Sequence, residues 1–348
     1  MIYINGRFLT SPLTGINRFS YEMCKSLQDI GVEFILLSPS KGILSEYKHD
    51  FRIEKIGQFS SHLWEQICVP LFLEKTNNPL FISFSGLGPI FYKNHIATIH
   101  DLSFFRNPQW FSWYYAFFYK KMTPLVAKNA LHLLTVSEFS KTEIVDILKI
   151  EPAKISILYN ALSSIFKVNQ SLIVNKKEKY FLAVASLDPR KNLERLVKAF
   201  EKLSLPDYKL LVVGGNNKVF GKIGVLESST VKCLGRVSDE ELVLYYKKAA
   251  LFVYPSLYEG FGIPPLEAMS LGCPVLVSDI TVCKEVCEDA VYYCNPYNVD
   301  DISNKMIASI NNFEETKKNV LKGFKQVNKF SWLNSAKGLA RLIESFTN

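Results

Sequence analysis

The chain has 348 residues, of which 48% are hydrophobic and 21% charged, which is typical of a globular protein of about two domains. Its formal charge is +8 at pH 7, but no block of Lys and Arg is long enough to indicate a nucleic-acid-binding arm, so no nucleic-acid partner is expected. Seven scattered cysteines without a Cys-x-x-Cys motif, no signal-peptide pattern and no apolar run of roughly 18 residues argue for a cytoplasmic protein without a membrane span.

The first half of the chain alternates short apolar runs with segments of helical periodicity. Continuous apolar runs are typical of buried parallel strands, and their alternation with helices indicates βαβ units in a doubly wound sheet. The predicted strands, in chain order, are Ile2–Ile4, Phe34–Leu37, Leu80–Phe84, Ile96–Ile99, Leu131–Val136 and Ile155–Leu158. The predicted helices are Ile16–Ile30, which ends at Gly31, and Glu138–Leu148.

The same alternation restarts after residues 161–179, which are polar, weakly patterned and interpreted as a linker. The predicted strands of the second half are Tyr180–Ala185, Leu210–Val213, Val231–Leu234, Leu251–Tyr254 and Pro274–Val277. The predicted helices are Asn192–Leu203, Asp239–Lys248, Pro265–Leu271 and a helical stretch over 299–346 that is broken near Phe330–Ser331.

This pattern predicts an α/β protein with two doubly wound, Rossmann-like domains that face a central cleft. The expected domains are 1–165 and 166–330, and the expected C-terminal helix, 331–348, packs back on the first of them. Ligands of such sheets bind beyond the carboxyl ends of the strands, so loops that follow strands are the place to look for chemistry.

The stretch YEGFGIPPLEAMSLGCPV, residues 258–275, follows a predicted strand and leads into a helix. Proline suits a first helical turn, and glycines let backbone approach a ligand, so the amides around Gly262–Leu266 form a candidate phosphate site. Glu259 in the loop and Glu267, expected in the first helical turn, would repel phosphate, so they suit sugar hydroxyls better. Taken alone, Glu267 could merely complement the helix dipole, and Glu259 could be a solvated loop charge.

Arg190 and Lys191 stand between a predicted strand and a predicted helix, where a pair of cations can neutralise a diphosphate. Solvated cations at a helix start are the alternative. His100 and Asp101 follow the strand Ile96–Ile99, which makes His100 a better functional candidate than a lone core histidine. Gly15, in the first strand-to-helix crossover, could bring its N–H to a phosphate.

The chain resembles the large retaining glycosyltransferase family four, of the GT-B architecture and the bacterial O-antigen and capsule type. The decisive string is EGFGIPPLE followed by A-M-x-x-G-x-P-V. Further matching strings occur in family order: LTGINRF (13–19), TIHDLSFF (98–105), TVSEFSK (135–141), ISILYNAL (155–162), SLDPRKNLERLVKAF (186–200) and LGRVSDEEL (234–242).

The resemblance implies roles for nine residues. The candidate catalytic residues are Glu259, His100, Lys191 and Arg190. The candidate donor-binding residues are Gly15, Arg236, Gly262, Ile263 and Glu267. In this scheme Lys191, Arg190 and the helix N-terminus bind the diphosphate, Glu259 binds the transferred sugar, Glu267 binds the ribose, and Arg236 lies near the base.

The resemblance also implies a metal-independent enzyme without a cofactor, which moves a hexose from a nucleotide-diphospho-sugar to a glycan or polyprenyl-diphosphate-linked acceptor. The sequence has no Asp-x-Asp motif and no His/Cys/Asp cluster at metal spacing, and cations and a helix N-terminus take the place of a metal. The glycine-loop and PRKN strings favour GDP-mannose, while UDP-hexoses and a dTDP-deoxysugar stay open. The expected location is the inner face of the plasma membrane, with peripheral contact to anionic lipid.

Other readings of the same residues are a non-catalytic nucleotide-sugar-binding partner, a nucleotide-sugar epimerase and a pyridoxal-phosphate phosphorylase. Only the first stays close to the observations, because an epimerase would need further acid–base residues and a phosphorylase a longer chain. The stretch FFRNPQWFSWYYAFFYKKM, residues 104–122, is either a core helix or an aromatic and basic surface for a lipid-linked acceptor.

Overall fold

The computed structural model describes residues 1–12, 15–44, 50–167, 177–185, 188–214 and 228–347. The chain forms two compact units. Unit 1 contains Met1–Asn160 and the C-terminal stretch from Ser331, and unit 2 contains Ala161–Phe330. Parts of the stretches singled out above lie outside the described residues, namely 13–14, 168–176, 186–187 and the position after Gly214.

Unit 1 is built on one parallel sheet of seven strands in the order β3-β2-β1-β4-β5-β6-β7. The central strands are almost fully buried, which explains why they appear in the sequence as continuous apolar runs. The strands are β1 Ile2–Asn5, β2 Phe34–Pro39, β3 Ile53–Ile56, β4 Leu80–Ser83, β5 His95–Thr98, β6 His132–Thr135 and β7 Ile155–Ile157.

The helices of unit 1 connect these strands. They are α1 Ile16–Asp29, α2 Ser61–Leu63, α3 Val69–Lys75, α4 Ser103–Arg106, α5 Trp113–Asn129 and α6 Glu138–Leu148. A π-helical turn, Trp64–Cys68, joins α2 to α3. Serine side chains cap α5 and α6, since Ser112 accepts from the Tyr115 N–H and Ser137 from the Ser140 N–H.

Unit 2 repeats this plan with six parallel strands in the order β10-β9-β8-β11-β12-β13. Its strands are β8 Glu178–Val184, β9 Lys209–Val213, β10 Val231–Gly235, β11 Ala249–Tyr254, β12 Val275–Ser278 and β13 Tyr292–Cys294. Its helices are α7 Leu193–Lys202, α8 Asp239–Lys248, α9 Ile263–Ser270, α10 Thr281–Cys287, α11 Val299–Asn311 and α12 Phe313–Val327.

Both sheets are therefore doubly wound, as predicted. In each sheet the chain works outward from the first strand, then returns to its other side with the fourth. Ligands of such sheets bind where this reversal occurs, at the carboxyl ends of the first and fourth strands. The reversal lies between β1 and β4 in unit 1 and between β8 and β11 in unit 2.

The last helix, α13 Trp332–Thr347, belongs to unit 1 and packs on α1. The Trp332 ring meets the Phe19 ring edge-on, with 5.6 Å between centroids. The Ser335 hydroxyl donates to the Tyr159 carbonyl oxygen at 2.8 Å. Residues that follow unit 2 in the sequence thus complete the core of unit 1.

Several elements differ from the sequence-based expectations. Strands β3 and β13 and helices α2, α3 and α10 were not predicted. The helical stretch 299–346 has a second break at Asn312, whose side chain caps α12 by accepting from the Glu315 N–H. The units divide between Asn160 and Ala161, whereas the expected boundary lies between residues 165 and 166.

Candidate active site

The reversal point of unit 2 brings Lys191 and Glu259 into direct contact. Lys191 ends a 3-10 turn that follows β8, and Glu259 lies in the loop that follows β11. The Lys191 ammonium donates to Glu259 Oε1 at 2.6 Å and to the Tyr254 hydroxyl at 2.9 Å. It also lies 4.9 Å from the centre of the Tyr254 ring. These three side chains, named the Lys191–Glu259–Tyr254 cluster below, form a compact polar site at the edge of the sheet.

The ionisation of this cluster is set by burial and by its cations. Glu259 is buried, and burial raises the pKa of its carboxyl. The positive charges of Lys191 and Arg190 and the hydrogen bonds from Lys191 and Tyr254 outweigh that cost, so the pKa ends below its usual value. Burial, followed by the nearby Glu259 charge, raises the pKa of Tyr254. At neutral pH Glu259 is therefore a carboxylate and Tyr254 a neutral phenol.

The turn that carries Arg190 and Lys191 is fixed by its neighbours. Asp188 caps it, because its Oδ1 accepts from the Arg190 N–H at 3.0 Å, and its Oδ2 lies 2.7 Å from Arg190 Nε. Asn192, at φ +58°, donates its side-chain amide to the carbonyl oxygens of Pro255 and Pro296. The turn is thereby tied to the loop after β11, and the direction of Lys191 is set before any ligand arrives.

Asp188, Asn192 and Tyr254 were missed as functional candidates by sequence reasoning. The Asp-Pro start of the turn was a local signal for a capped turn, and Asn tolerates the left-handed region in which Asn192 lies. Tyr254 was counted only as the last residue of a predicted strand, and nothing in its spacing separates it from other core aromatic residues.

Helix α9 begins at the loop that carries Glu259, with Gly262 at its N-cap in the left-handed region at φ +95°. Pro264 and Pro265 have no N–H, so only Gly262, Ile263 and Leu266 can offer backbone amides to an anion here. The predicted phosphate site therefore has fewer backbone amides than the stretch Gly262–Leu266 suggested from the sequence.

Glu267 does not lie in the first turn of this helix, because α9 starts at Ile263 and not at Pro265. The prediction of a first-turn position was therefore wrong, because Glu267 is the fifth residue of the helix. Its Oε2 accepts a hydrogen bond from the buried Tyr246 hydroxyl at 3.0 Å. Burial, followed by the Glu267 charge, raises the pKa of Tyr246. Glu267 is half-buried and is held in one orientation on the helix that follows the Glu259 loop.

Gly214 and Arg236 mark the same edge of the sheet, after β9 and β10. A Cβ on Gly214 would lie 2.4 Å from the Ala185 carbonyl oxygen, so close packing of the two strand ends requires glycine. Arg236 is exposed, and within the described ranges it makes no ion pair or side-chain hydrogen bond. The structure does not bring it into contact with the Lys191–Glu259–Tyr254 cluster.

His100 lies at the carboxyl edge of the sheet of unit 1, just after β5. Its Nε2 lies 2.8 Å from the Phe84 carbonyl oxygen, which can only accept, so Nε2 carries the proton. Burial lowers the pKa of His100, and the Phe84 bond and the Asp101 charge offset this only in part. Asp101 accepts from the Ser103 N–H and hydroxyl at the start of α4. At neutral pH His100 is a neutral ring with Nδ1 as an acceptor.

Gly15 precedes α1 in the same unit, with φ +49° and ψ −114°, a conformation that favours glycine. Phe19, one turn further along α1, packs edge-on against the His100 ring with 5.0 Å between centroids. The Phe19 N–H donates to the Gly15 carbonyl oxygen, so Phe19 links the start of α1 to the His100 ring.

A second buried ion pair, which the sequence did not suggest, lies at the reversal point of unit 1. Glu65, fully buried in the π-helical turn, lies 3.0 Å from Arg7 Nη1 and accepts from the Asn5 side chain at 2.9 Å. His62 Nδ1 lies 3.3 Å from the same carboxylate. A Cβ on Gly86 would lie 2.0 Å from Glu65 Oε1, so this loop also closes on the carboxylate.

Two family models match almost the whole chain. The model described as Glycosyltransferase Family 4 matches residues 13–163, and the model described as Glycosyl transferases group 1 matches residues 165–326. O-antigen chain mannosyltransferase B of Escherichia coli is 31% identical over 93% of this chain and 94% of its own length. The chain belongs to glycosyltransferase family 4. O-antigen chain mannosyltransferase RfbU of Salmonella typhimurium is 36% identical over 59% of this glycosyltransferase and 57% of its own length.

The fold of this glycosyltransferase is shared with a solved structure of HepE from Anabaena in complex with UDP and glucose. The TM-score is 0.75 at 15% identity, with 99% of each chain covered, so the likeness is one of GT-B architecture. No helix in the described ranges is long and apolar enough to cross a membrane. The same ranges contain no group of three His, Cys, Asp or Glu side chains placed to hold a metal ion.

Proposed function

We propose that this glycosyltransferase moves a hexose from a nucleotide-diphospho-sugar to a growing, lipid-linked surface polysaccharide such as O-antigen, with retention at the anomeric carbon. The observation that carries the proposal is the Lys191–Glu259–Tyr254 cluster at the reversal point of unit 2. The cluster contains a cation and a carboxylate, and its Glu259 lies in the loop that leads into helix α9. A cation and a helix N-terminus suit a charged diphosphate, and a carboxylate suits the hydroxyl groups of a sugar.

In this proposal the cations hold the leaving group. Lys191, Arg190 and the amides of Gly262 and Ile263 take up the negative charge of the diphosphate, without a metal ion. A bound diphosphate would compete with Glu259 for the Lys191 ammonium. The Glu259 oxygen released from this contact would then accept a hydroxyl of the transferred sugar. Glu267, held by Tyr246, is proposed to accept from the ribose.

The reaction breaks the bond between the anomeric carbon and the diphosphate oxygen, and the bonding electrons leave with the diphosphate. The acceptor oxygen forms the new bond on the same face of the sugar, and its proton passes to the leaving phosphate oxygen. The neutral His100 ring, whose Nε2–H is engaged by Phe84, is assigned a positioning role near the sugar rather than this proton transfer.

Mannose from GDP-mannose is the first candidate donor, because both relatives described above are named as mannosyltransferases. A UDP-hexose is the second, because the HepE structure contains UDP and glucose. A dTDP-deoxysugar is the third. A lipid-linked acceptor would place the enzyme at the inner face of the plasma membrane.

The test is a transfer assay with these three donor classes and a polyprenyl-diphosphate glycan, preceded by thermal shifts with GDP, UDP, dTDP and CMP. A ligand that binds only the folded protein raises its melting temperature. We expect Lys191→Ala to lower kcat by about 100-fold or more. The matched control is Lys198→Ala, an exposed lysine of α7 that pairs with Glu194 and should leave the rate unchanged.

Two results would count against the proposal. Equal rates for Lys191→Ala and the wild type would remove the cluster from the chemistry. Nucleotide binding without turnover of any donor, unchanged by Glu259→Ala, would instead indicate a non-catalytic nucleotide-sugar-binding partner.

A further inference from the structure

The hydroxyl group of Tyr254 lies between the two charges of the Lys191–Glu259–Tyr254 cluster. Its oxygen accepts a hydrogen bond from the Lys191 ammonium at 2.9 Å, and its O–H donates to the Glu259 carboxylate. The ammonium also donates to Glu259 Oε1 directly, at 2.6 Å. Glu259 is therefore held by two donors of different kinds, one with a positive charge and one without.

The Tyr254 ring is fixed by packing. Tyr254 is the last residue of β11, and only 2% of it is exposed. The ring stacks on Phe252 with 5.9 Å between centroids, and its Cε1 lies 3.8 Å from the place where a Cβ on Gly262 would be. Phenylalanine would fill the same space, and a buried hydroxyl group costs free energy unless it is hydrogen-bonded. Packing therefore explains the ring, and the hydroxyl group needs another explanation.

A bound diphosphate would change the two donors unequally. In the proposed function it attracts the Lys191 ammonium, which then leaves its contact with Glu259. A buried carboxylate that loses a donor takes up a proton more readily and loses its fixed orientation. The Tyr254 hydroxyl has no charge for the diphosphate to attract, and its ring stays in place, so its hydrogen bond to Glu259 persists.

The other groups near Glu259 do not replace this donor. Arg190 adds its positive charge to that of Lys191, but it lies on the same turn and is also proposed to bind the diphosphate. Cys283 of α10 lies within electrostatic range of Glu259, and burial raises the pKa of its thiol, which is therefore uncharged at neutral pH. Both cations thus belong to one turn, whereas Tyr254 belongs to a strand of the sheet.

We propose that Tyr254 is a positioning residue, which keeps Glu259 ionised and in one orientation after the diphosphate has drawn Lys191 away. The inference rests on the proposed function, because it assigns Tyr254 to the step in which Glu259 accepts a hydroxyl group of the transferred sugar. Tyr254 touches neither the sugar nor the diphosphate in this scheme and acts only through Glu259. Its hydroxyl group thus matters most in the donor complex, where Lys191 no longer contacts the carboxylate.

The test is the variant Tyr254→Phe, in the full chain and with the donor that the transfer assay identifies. We expect kcat to fall about tenfold or more, because a hydrogen bond to a charged group is lost. The KM of the donor should change less than about twofold. The acid limb of kcat against pH should move to higher pH, since without this hydrogen bond Glu259 is protonated more easily in the donor complex. The acid limb of kcat/KM should move less, because it reports the free enzyme, where Lys191 still contacts Glu259.

The matched control is Tyr180→Phe, which removes the hydroxyl group of another buried tyrosine in unit 2. That hydroxyl donates to the Tyr245 carbonyl oxygen at 2.7 Å, near the start of β8, and its loss should change neither kcat nor the acid limb. Melting temperatures establish that both variants are folded. Tyr254 has a purely structural role if its variant keeps the wild-type kcat, or if kcat falls without a shift of the acid limb. Either result would overturn the proposal.

A second measurement does not depend on turnover. NMR of isotope-labelled glutamate carboxyl carbons follows the ionisation of Glu259, whose signal is identified by its absence in Glu259→Gln, and inorganic pyrophosphate serves as the probe for the diphosphate. With pyrophosphate present, Glu259 should be protonated at a higher pH in Tyr254→Phe than in the wild type. Identical titrations would contradict the inference. A wild type that transfers no sugar would count against the proposed function alone, because this titration still decides the role of Tyr254.

Discussion

The two units share one strand order but use the reversal point of the sheet differently. Each has a buried ion pair there, Arg7–Glu65 in unit 1 and Lys191–Glu259 in unit 2. Glu65 is closed in by Asn5, His62 and the Gly86 loop, whereas Glu259 lies in a loop beside the start of a helix. The same pairing of charges is thus enclosed in unit 1, whereas in unit 2 it lies beside a helix N-terminus, which is where we propose that a ligand binds.

The surfaces of the two units differ as well. Of the exposed large apolar side chains within the described residues, fourteen lie in unit 1 and four in unit 2. Single exposed apolar side chains are common on protein surfaces, but five of the fourteen lie on the one helix α5. Unit 1 thus exposes more large apolar side chains than unit 2 does.

The largest expected effect is a loss of stability in the variant Arg7→Met, which tests whether the ion pair of unit 1 is structural. The change leaves the Glu65 carboxylate buried without its cation, and breaking a buried pair in this way should cost about 3 kcal/mol of unfolding free energy. Urea unfolding gives the measurement. Arg52→Met, at an exposed position, is the control and should stay within about 0.5 kcal/mol of the wild type. A small effect of Arg7→Met would show that the unit 1 pair is not structural.

The next effect is expected from Glu259→Gln in unit 2. Gln keeps the size of the side chain but cannot match the Lys191 charge or accept in the same way. We expect kcat to fall by about 100-fold, roughly 2.7 kcal/mol, with a smaller change in stability. Steady-state kinetics and urea unfolding on the same preparations separate the two. If Glu259→Gln lost more unfolding free energy than activation free energy, the Lys191–Glu259 pair would be structural, like the Arg7–Glu65 pair.

The smallest effect is a pH dependence of stability. The pKa of Glu259 is depressed in the folded protein, so its contribution to stability is complete above the unfolded value of about 4.3 and is lost as pH falls through the folded value. The difference in unfolding free energy between wild type and Glu259→Gln should therefore shrink as the pH is lowered below about 4. Urea midpoints of both proteins across this range measure it, and a constant difference would contradict the assignment.

Much of the fold could be predicted because buried parallel strands have a strong signature. The strands at β1, β4, β5, β8, β11 and β12 are continuous apolar runs, and the structure has each within two residues of its prediction. Strand β3 was missed because Ile53–Ile56 contains two charged residues at an edge of the sheet. Strand β13 was missed because it is only three residues long.

The candidate site was predictable only in part. The loop with Glu259 and the turn with Lys191 follow strands and contain residues with strong backbone preferences, so the sequence pointed to both. Their direct contact depends on the pairing of β8 with β11, which local patterns do not record. The Arg7–Glu65 pair had no signal for the same reason. Glu267 was misplaced because the helix begins before the Pro-Pro pair rather than at it.

Helix α13 has a consequence for how the protein is made. Its Trp332 supports Phe19, and Phe19 in turn supports the His100 ring, so residues translated after unit 2 complete the core of unit 1. The core of the nascent unit 1 lacks these contacts until residues 332–347 have been translated, whereas unit 2 is contiguous in sequence. A stop codon near position 331 would therefore damage the beginning of the protein first, although it removes only the end.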